Sequence, residues 1–69
     1  MELFINGDAR QFSALRDPLT VAALVDMLGY AGKRIAGERN GEFVPRGRHS
    51  EVFLASGDRI EIVVAVGGG

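Results

Sequence analysis

The chain ends on Ala65, Val66, Gly67, Gly68 and Gly69, so a carboxyl group follows a run of glycines. Glycine has no Cβ, and its backbone therefore adopts extended and positive-φ conformations and passes close to other backbones. A β-branched residue at these positions would stiffen the segment and clash with a narrow channel. Five extended residues reach about 17 Å. Terminal glycines alone are more typical of a flexible end. The hypothesis that Gly69 carries a reactive carboxylate, which Val66, Gly67 and Gly68 insert into a partner's active site, therefore depends on the fold and the family resemblance described below.

A carboxylate is a poor electrophile, so it must first be converted to a mixed anhydride with AMP. The sequence has no P-loop lysine motif, and three terminal glycines cannot begin a helix that binds phosphate. We therefore expect a separate enzyme to bind ATP and to adenylate Gly69. The chain itself is expected to bind no cofactor and to have no catalytic residue.

The remaining side chains that could do chemistry do not form a recognisable site. His49 has no cysteine or aspartate partner at metal-ligand spacing, so we expect a surface histidine and no metal site. Asp58 is expected to cap the turn before the last strand. Arg46 and Arg48 are expected to be solvated loop charges rather than ion-pair partners for an acidic protein. The strand glutamates are expected to face solvent and not to form a paired-carboxylate site: Glu2, Glu38, Glu42 and Glu61.

Composition limits the protein to a small domain with one core. The 69 residues have a net charge of −1, an apolar share of 46% and no cysteine. The lack of cysteine excludes disulfides and cysteine-ligated zinc as stabilising cross-links. The charge balance lacks the basic surface expected of a nucleic-acid-binding protein. No apolar run approaches the roughly 20 residues that span a bilayer, and none resembles a signal peptide. We expect a cytoplasmic protein that binds neither nucleic acid nor membrane.

Two Asn-Gly pairs predict β-hairpins, because both residue types tolerate a positive φ. Asn6 and Gly7 join the first two strands, and Asn40 and Gly41 join the third and fourth. A period-two pattern then predicts a fifth strand after Asp58. The predicted strands span residues 2–5, 8–12, 35–39, 42–44 and 59–64.

One amphipathic helix is predicted between the two hairpins. Thr20 is a candidate N-cap and Gly29 a candidate left-handed C-terminal residue, and they flank an apolar stripe formed by Val21, Leu24, Val25 and Leu28. Residues 52–54 are expected to return to the core. One helix covers only one sheet face, so we predict an α+β domain over residues 1–64, with a mixed sheet of about four to five strands and a flexible glycine tail over 65–69.

Strand alternation also predicts a partner-docking surface on the sheet face away from the helix. Phe4 and Val63 are expected on this face among charged residues, and an apolar cluster with a charged rim is typical of an interface. Phe43 is a third candidate, although alternation leaves its orientation open.

Several motifs resemble the thiamine-biosynthesis sulfur carriers of the ThiS family. They are "FINGDARQF" at 4–12, "ERNGEFVPR" at 38–46, "LASGDRIEIV" at 54–63 and the final glycines, so the resemblance covers essentially the whole chain. The chain departs from the family pattern at Gly37, where an apolar residue is usual, and at Ser56, where an acidic residue is common.

This resemblance implies a ubiquitin-like β-grasp fold in which the first and last strands are parallel neighbours. It also implies adenylation of Gly69 by an E1-like (ThiF-type) adenylyltransferase. Sulfur from a donor such as a cysteine desulfurase system then replaces AMP, and the Gly69 thiocarboxylate passes its sulfur to a ThiG-type thiazole synthase.

Three other functions remain open at this point. One is the small subunit of molybdopterin synthase, which is also a β-grasp sulfur carrier; the short length and the segment from Val44 to Arg46 favour the thiamine branch. The second is a ubiquitin-like modifier that is conjugated to lysines. The third is a β-grasp interaction module with an inert tail.

Overall fold

The computed structural model describes residues 1–12 and 18–65, and its elements follow the predicted order. The elements are β1 (Glu2–Ile5), β2 (Asp8–Gln11), α1 (Val21–Met27), β3 (Ile35–Arg39), β4 (Glu42–Val44), a 3₁₀ helix (Arg46–Arg48) and β5 (Arg59–Val64). The predicted tail over 65–69 lies almost wholly outside the described residues, so that domain boundary stays a prediction.

The five strands form one mixed sheet in the order β2-β1-β5-β3-β4. β1 and β5 are parallel, whereas the β1–β2, β3–β4 and β3–β5 pairs are antiparallel. The last strand of the sheet in sequence is therefore the central strand in space, beside the first. Together with α1 packed on one face, this topology is the predicted ubiquitin-like β-grasp fold.

Both predicted Asn-Gly turns are confirmed by their backbone angles. Asn6 and Gly7 have φ values of 50° and 89°, and Asn40 and Gly41 have values of 52° and 87°. Two successive residues at positive φ are the requirement of the tight turn whose twist matches paired strands. The local sequence therefore determines where both hairpins turn.

The helix begins and ends where the sequence indicates. The Thr20 hydroxyl oxygen accepts a hydrogen bond from the Ala23 amide at 3.1 Å, and Gly29 adopts a φ of 84° just after the last turn. Its predicted apolar stripe is buried or half-buried against the sheet, and consists of Val21, Leu24, Val25 and Leu28.

The core lies between α1 and the face of the sheet that it covers. Along β5, Ile60 and Ile62 point into this core, while Glu61 and Val63 are exposed on the opposite face, as the alternation predicts. The buried apolar residues of the described chain are Leu3, Ile5, Leu19, Val21, Leu24, Val44, Leu54, Ile60 and Ile62.

The expectation that His49 is a surface residue is wrong. Its side chain is 8% exposed, and its Nε2 lies 3.1 Å from the carbonyl oxygen of Val44. Its own carbonyl accepts a hydrogen bond from the Ala22 amide at 2.9 Å. A buried polar ring is tolerated when it is hydrogen-bonded, so His49 ties the end of β4 to the start of α1. The exposed arginines Arg46 and Arg48 beside it are surface charges, as expected.

The expectation that all of residues 52–54 enter the core is also wrong, because Phe53 is 54% exposed. This segment runs antiparallel to the residues just before α1, with a bridge between Thr20 and Phe53 and a hydrogen bond from the Leu54 amide to the Leu19 carbonyl at 2.7 Å. Side chains alternate in such a pairing. Leu54 therefore points inward and Phe53 points outward.

Gly37 is a buried strand residue whose replacement by alanine is expected to stabilise the domain. Its φ lies outside the positive range, and a Cβ would meet only the Glu61 carbonyl oxygen, at 3.8 Å. Glycine within a strand costs about 0.5–1 kcal/mol relative to alanine. We expect Gly37→Ala to raise the free energy of unfolding in urea by about 1 kcal/mol.

Gly41→Ala in the adjacent turn is the matched control for this substitution. Because Gly41 has a φ of 87°, alanine there should lower the free energy of unfolding by about 1–2 kcal/mol. Equal effects of the two substitutions would contradict the assignment of Gly37 to an unstrained position.

Candidate functional site

The predicted reactive tail follows directly on the central strand. Gly69, together with Val66, Gly67 and Gly68, lies outside the described residues, and its role stays a prediction. The described chain ends at Ala65, whose amide donates a hydrogen bond to the Arg34 carbonyl at 2.9 Å. The base of the tail is therefore held to the segment that leads into β3.

Two asparagine side chains fix β5, the strand that leads into the tail. The Asn6 side chain accepts from the Ile62 amide at 2.8 Å and donates to the Ile62 carbonyl at 3.2 Å. At the start of β5, the Asn40 side-chain oxygen accepts from the Arg59 backbone amide at 2.9 Å, and the Asn40 backbone amide donates to the Arg59 carbonyl at 2.8 Å. These contacts resemble the pairs of N–H···O=C hydrogen bonds that join neighbouring strands. The sequence indicated only that both asparagines form turns, and no local pattern in it indicated that they also anchor β5.

Asp58 organises the turn before β5, as predicted, through three partly buried hydrogen bonds. Its carboxylate accepts hydrogen bonds from the Ala55 amide at 2.8 Å, from Arg39 Nε at 2.8 Å and from Asn40 Nδ2 at 3.0 Å. Burial raises the pKa of the Asp58 carboxyl, but these three hydrogen bonds and the Arg39 charge outweigh burial and hold its pKa below the usual value. Asp58 is therefore a structural carboxylate, and the ion pair with Arg39 was not predicted.

The three residues of the predicted docking surface lie on the sheet face opposite α1. Phe43 and Val63 are 64% and 67% exposed, and both line one shallow depression. Phe4 is half-buried on β1 and does not line that depression; the guanidinium carbon of Arg59 lies 5.7 Å from the centroid of its ring. We call the exposed residues of this sheet face the open face; they include Ala36, Glu38, Phe43, Arg59, Glu61 and Val63.

The described residues lack both a metal-binding cluster and a membrane-spanning helix. Residues 1–12 and 18–65 contain no group of three or more histidine, cysteine, aspartate or glutamate side chains that could hold a metal ion. Over the same part of the chain, no helix has the length and apolar character needed to cross a bilayer.

Comparison with known proteins gives two kinds of relative. Two curated proteins named thiazole synthase match all of the chain, from Paramagnetospirillum magneticum at 45% identity and from Magnetococcus marinus at 36% identity. The chain spans 20% of the length of each of these curated relatives.

A solved structure and a family model agree on the classification. The crystal structure of the thiamine biosynthesis protein (ThiS) from Geobacter metallireducens matches 100% of both chains with a TM-score of 0.82 and 28% identity. A sequence model of the ThiS family matches residues 3–69. Since the family model matches residues 3–69 and the solved ThiS structure is similar to this chain over its whole length, the chain belongs to the ThiS family.

Proposed function

We propose that the protein is a sulfur carrier for thiazole formation in thiamine biosynthesis, and that it carries sulfur as a thiocarboxylate on Gly69. The observation that carries the proposal is the ThiS family match, which continues through the final glycines to residue 69. The full-length likeness to a thiamine biosynthesis protein supports the same pathway. This likeness favours a carrier in thiamine biosynthesis over the small subunit of molybdopterin synthase.

The proposed chemistry divides between the carrier and its partners. A ThiF-type enzyme transfers AMP from ATP to the Gly69 carboxylate and releases pyrophosphate. The terminal sulfur of a donor persulfide, such as one formed by a cysteine desulfurase system, then attacks the acyl adenylate and releases AMP. A thiol cleaves the resulting acyl disulfide by forming a disulfide with the donor's sulfur, and the thiocarboxylate remains on Gly69. The carrier binds no ATP itself, and we propose that it is a co-substrate of these cytoplasmic enzymes rather than a catalyst.

A thiazole synthase is the proposed acceptor of the sulfur. Each of the two curated relatives named thiazole synthase contains a segment similar to this entire chain, and that segment makes up about a fifth of the protein. Joining a carrier-like segment and a longer remainder in one polypeptide keeps the two at a high effective concentration. This arrangement supports direct transfer from the carrier to a ThiG-type partner.

The geometry of the described residues suits delivery of the tail. β5 is the central strand, it is anchored by Asn6 and Asn40, and the hydrogen bond from Ala65 to Arg34 fixes the point where the tail begins. A rigid base limits the orientations that are available to the tail before binding. Fewer orientations are then lost on binding, which reduces the entropic cost of association.

Intact-mass measurement tests the proposal. The protein is incubated with ATP, a ThiF-type adenylyltransferase and a sulfur donor, and its mass is compared with that of a reaction lacking ATP. We expect an ATP-dependent gain equal to the exchange of one oxygen for one sulfur, located at Gly69 by fragmentation. A mass that stays unchanged while the same enzyme modifies another ThiS protein would contradict the proposal.

The docking surface makes a separate prediction that uses two exposed phenylalanines. Phe43 lies on the open face, whereas Phe53 is similarly exposed beside the start of α1. An exposed aromatic residue in an interface core can account for more than 1 kcal/mol. We expect Phe43→Asp to weaken binding to the adenylyltransferase about tenfold or more.

Phe53→Asp is the control, and it should leave the dissociation constant within about twofold because it lies away from the proposed interface. Circular dichroism of both variants checks that they stay folded. Val63→Asp and Phe4→Asp extend the test across the open face. Equal weakening by Phe43→Asp and Phe53→Asp would contradict docking through this face.

A further inference from the structure

Two glutamates lie directly opposite each other on the open face. The β3–β5 register pairs Glu38 with Glu61, and both side chains are exposed. Residues opposite each other in an antiparallel pair have Cβ atoms about 4.5–5.5 Å apart, and like charges at this distance destabilise a sheet. The register therefore places the two glutamates directly beside each other on the open face.

The described residues do not neutralise this pair. Arg59 is the cation two residues before Glu61 on the same face of β5, but its guanidinium lies over the Phe4 ring. Within residues 1–12 and 18–65, the one ion pair with an N–O distance of 4.0 Å or less joins Arg39 to Asp58. The Glu38 and Glu61 carboxylates therefore remain available to a cation from another molecule.

The surroundings of the pair indicate which kind of cation fits. Both glutamates line the same depression as Phe43 and Val63, and Phe43 lies directly opposite Glu38 on the other side of β3. A guanidinium donates several hydrogen bonds in one plane and stacks on aromatic rings, whereas an ammonium is a compact and strongly hydrated charge. Arginine is also enriched in interfaces, where lysine is depleted.

The position of the pair on β5 indicates which partner supplies the cation. Glu61 is on the strand that leads into the tail, and the eight residues from there to Gly69 reach at most about 28 Å when extended. A protein that receives Gly69 in its active site is therefore held within this distance of Glu61 while the tail is bound. The adenylating enzyme is the first such protein in the proposed sequence of reactions, and the open face is already its proposed docking surface.

We propose that Glu38 and Glu61 together bind one arginine side chain of the adenylating enzyme, and that Phe43 packs against its guanidinium. This inference rests on the proposed function, because it names the residue type that the docking surface receives. The two carboxylates favour a positively charged side chain of the partner at this otherwise apolar surface. An arginine of the partner would relieve the repulsion between the two glutamates in the complex.

The test measures binding and stability on the same variants. The double variant Glu38→Gln with Glu61→Gln is titrated against the ThiF-type enzyme by calorimetry at several salt concentrations. We expect its dissociation constant to rise about tenfold, with a weaker salt dependence, while the thermal midpoint of the free domain rises because the repulsion is gone. The opposite signs separate a binding role from a purely structural one.

Glu42→Gln is the matched control, since Glu42 is an exposed glutamate of β4 whose side chain alternates to the face opposite that of Phe43. Its dissociation constant should stay within about twofold of the parent. Unchanged binding of the double variant, or an equal loss in Glu42→Gln, would overturn the inference. Weakened binding to the thiazole synthase alone would overturn the choice of partner.

Failure of this inference is distinguishable from failure of the proposed function. If the parent protein gains sulfur in the intact-mass assay and the double variant binds as tightly as the parent, only the arginine site is wrong. If the parent gains no sulfur with an active enzyme, the carrier function is wrong, and the arginine site is overturned with it.

Discussion

Adding one alanine after Gly69 is expected to abolish the ATP-dependent gain of sulfur. The proposed chemistry acts on the Gly69 carboxylate, and a peptide bond at this position removes the group that attacks ATP. The added alanine has a carboxylate of its own, but that carboxylate lies about 3.5 Å farther along the chain. The alanine also has a Cβ, which glycine lacks. The intact-mass assay measures the result directly, as a product that stays at the unmodified mass.

Removing Gly69 gives a graded version of the same test. The shortened chain ends on the carboxylate of Gly68, which has the same chemistry but lies one residue short of the position that the tail normally reaches. Misplacement of a reacting group by 1 Å can reduce a rate about 100-fold. We therefore expect the rate of sulfur gain to fall by about 100-fold or more, while binding to the adenylyltransferase changes much less.

An alanine added before Met1 is the control for both changes. The Met1 ammonium donates a hydrogen bond to the Phe12 carbonyl at 3.0 Å, and an amide N–H in its place can still donate. This variant should gain sulfur at the parental rate. A parental rate in the variant extended after Gly69 would show that sulfur is carried elsewhere.

Asp58→Ala is expected to cause a large loss of stability for a substitution outside the apolar core. The substitution removes the acceptor for Arg39 and Asn40 and leaves the Ala55 amide without its partner. Breaking a partly buried ion pair on one side costs several kcal/mol, because the remaining charge and donors lose their compensation. We expect the free energy of unfolding in urea to fall by about 3 kcal/mol.

Asp8→Ala provides the comparison, because Asp8 is an exposed aspartate of β2. Its effect should stay within about 0.5 kcal/mol, as for other surface substitutions. If the two aspartate substitutions cost the same, the contacts of Asp58 do not stabilise the turn.

The pKa of Asp58 also predicts how stability depends on pH. Its folded-state pKa lies below the usual value of about 3.9 for an unfolded chain. The stabilisation is therefore fully present above pH of about 4 and is lost as pH falls through the folded-state pKa, because the unfolded chain takes up the proton first. Asp58→Asn should flatten the loss of stability in acid, measured by urea unfolding between neutral pH and pH of about 3. An unaltered acid profile in this variant would contradict the assignment.

The turns and the helix ends follow from the sequence because each depends on a few neighbouring residues. Asn-Gly strongly favours positive φ at both residues, and the Thr20 cap and the glycine after α1 act within one helical turn. The alternation along β5 likewise separates Ile60 and Ile62 from Val63. The role of Gly69 was suggested by motifs along the whole sequence together with the final glycines, and it stays a proposal.

Contacts between distant segments were decided by the tertiary structure. The side chains of Asn6 and Asn40 bind β5, and Asp58 binds Arg39, because packing of the core sets a register that no local pattern specifies. The same register places Glu38 against Glu61. His49 is buried and Phe53 exposed for a related reason: the path of the chain after β4 determines which way each side chain points. Local preferences thus determined the elements and the candidate chemistry, whereas strand pairing and core packing determined which residues meet.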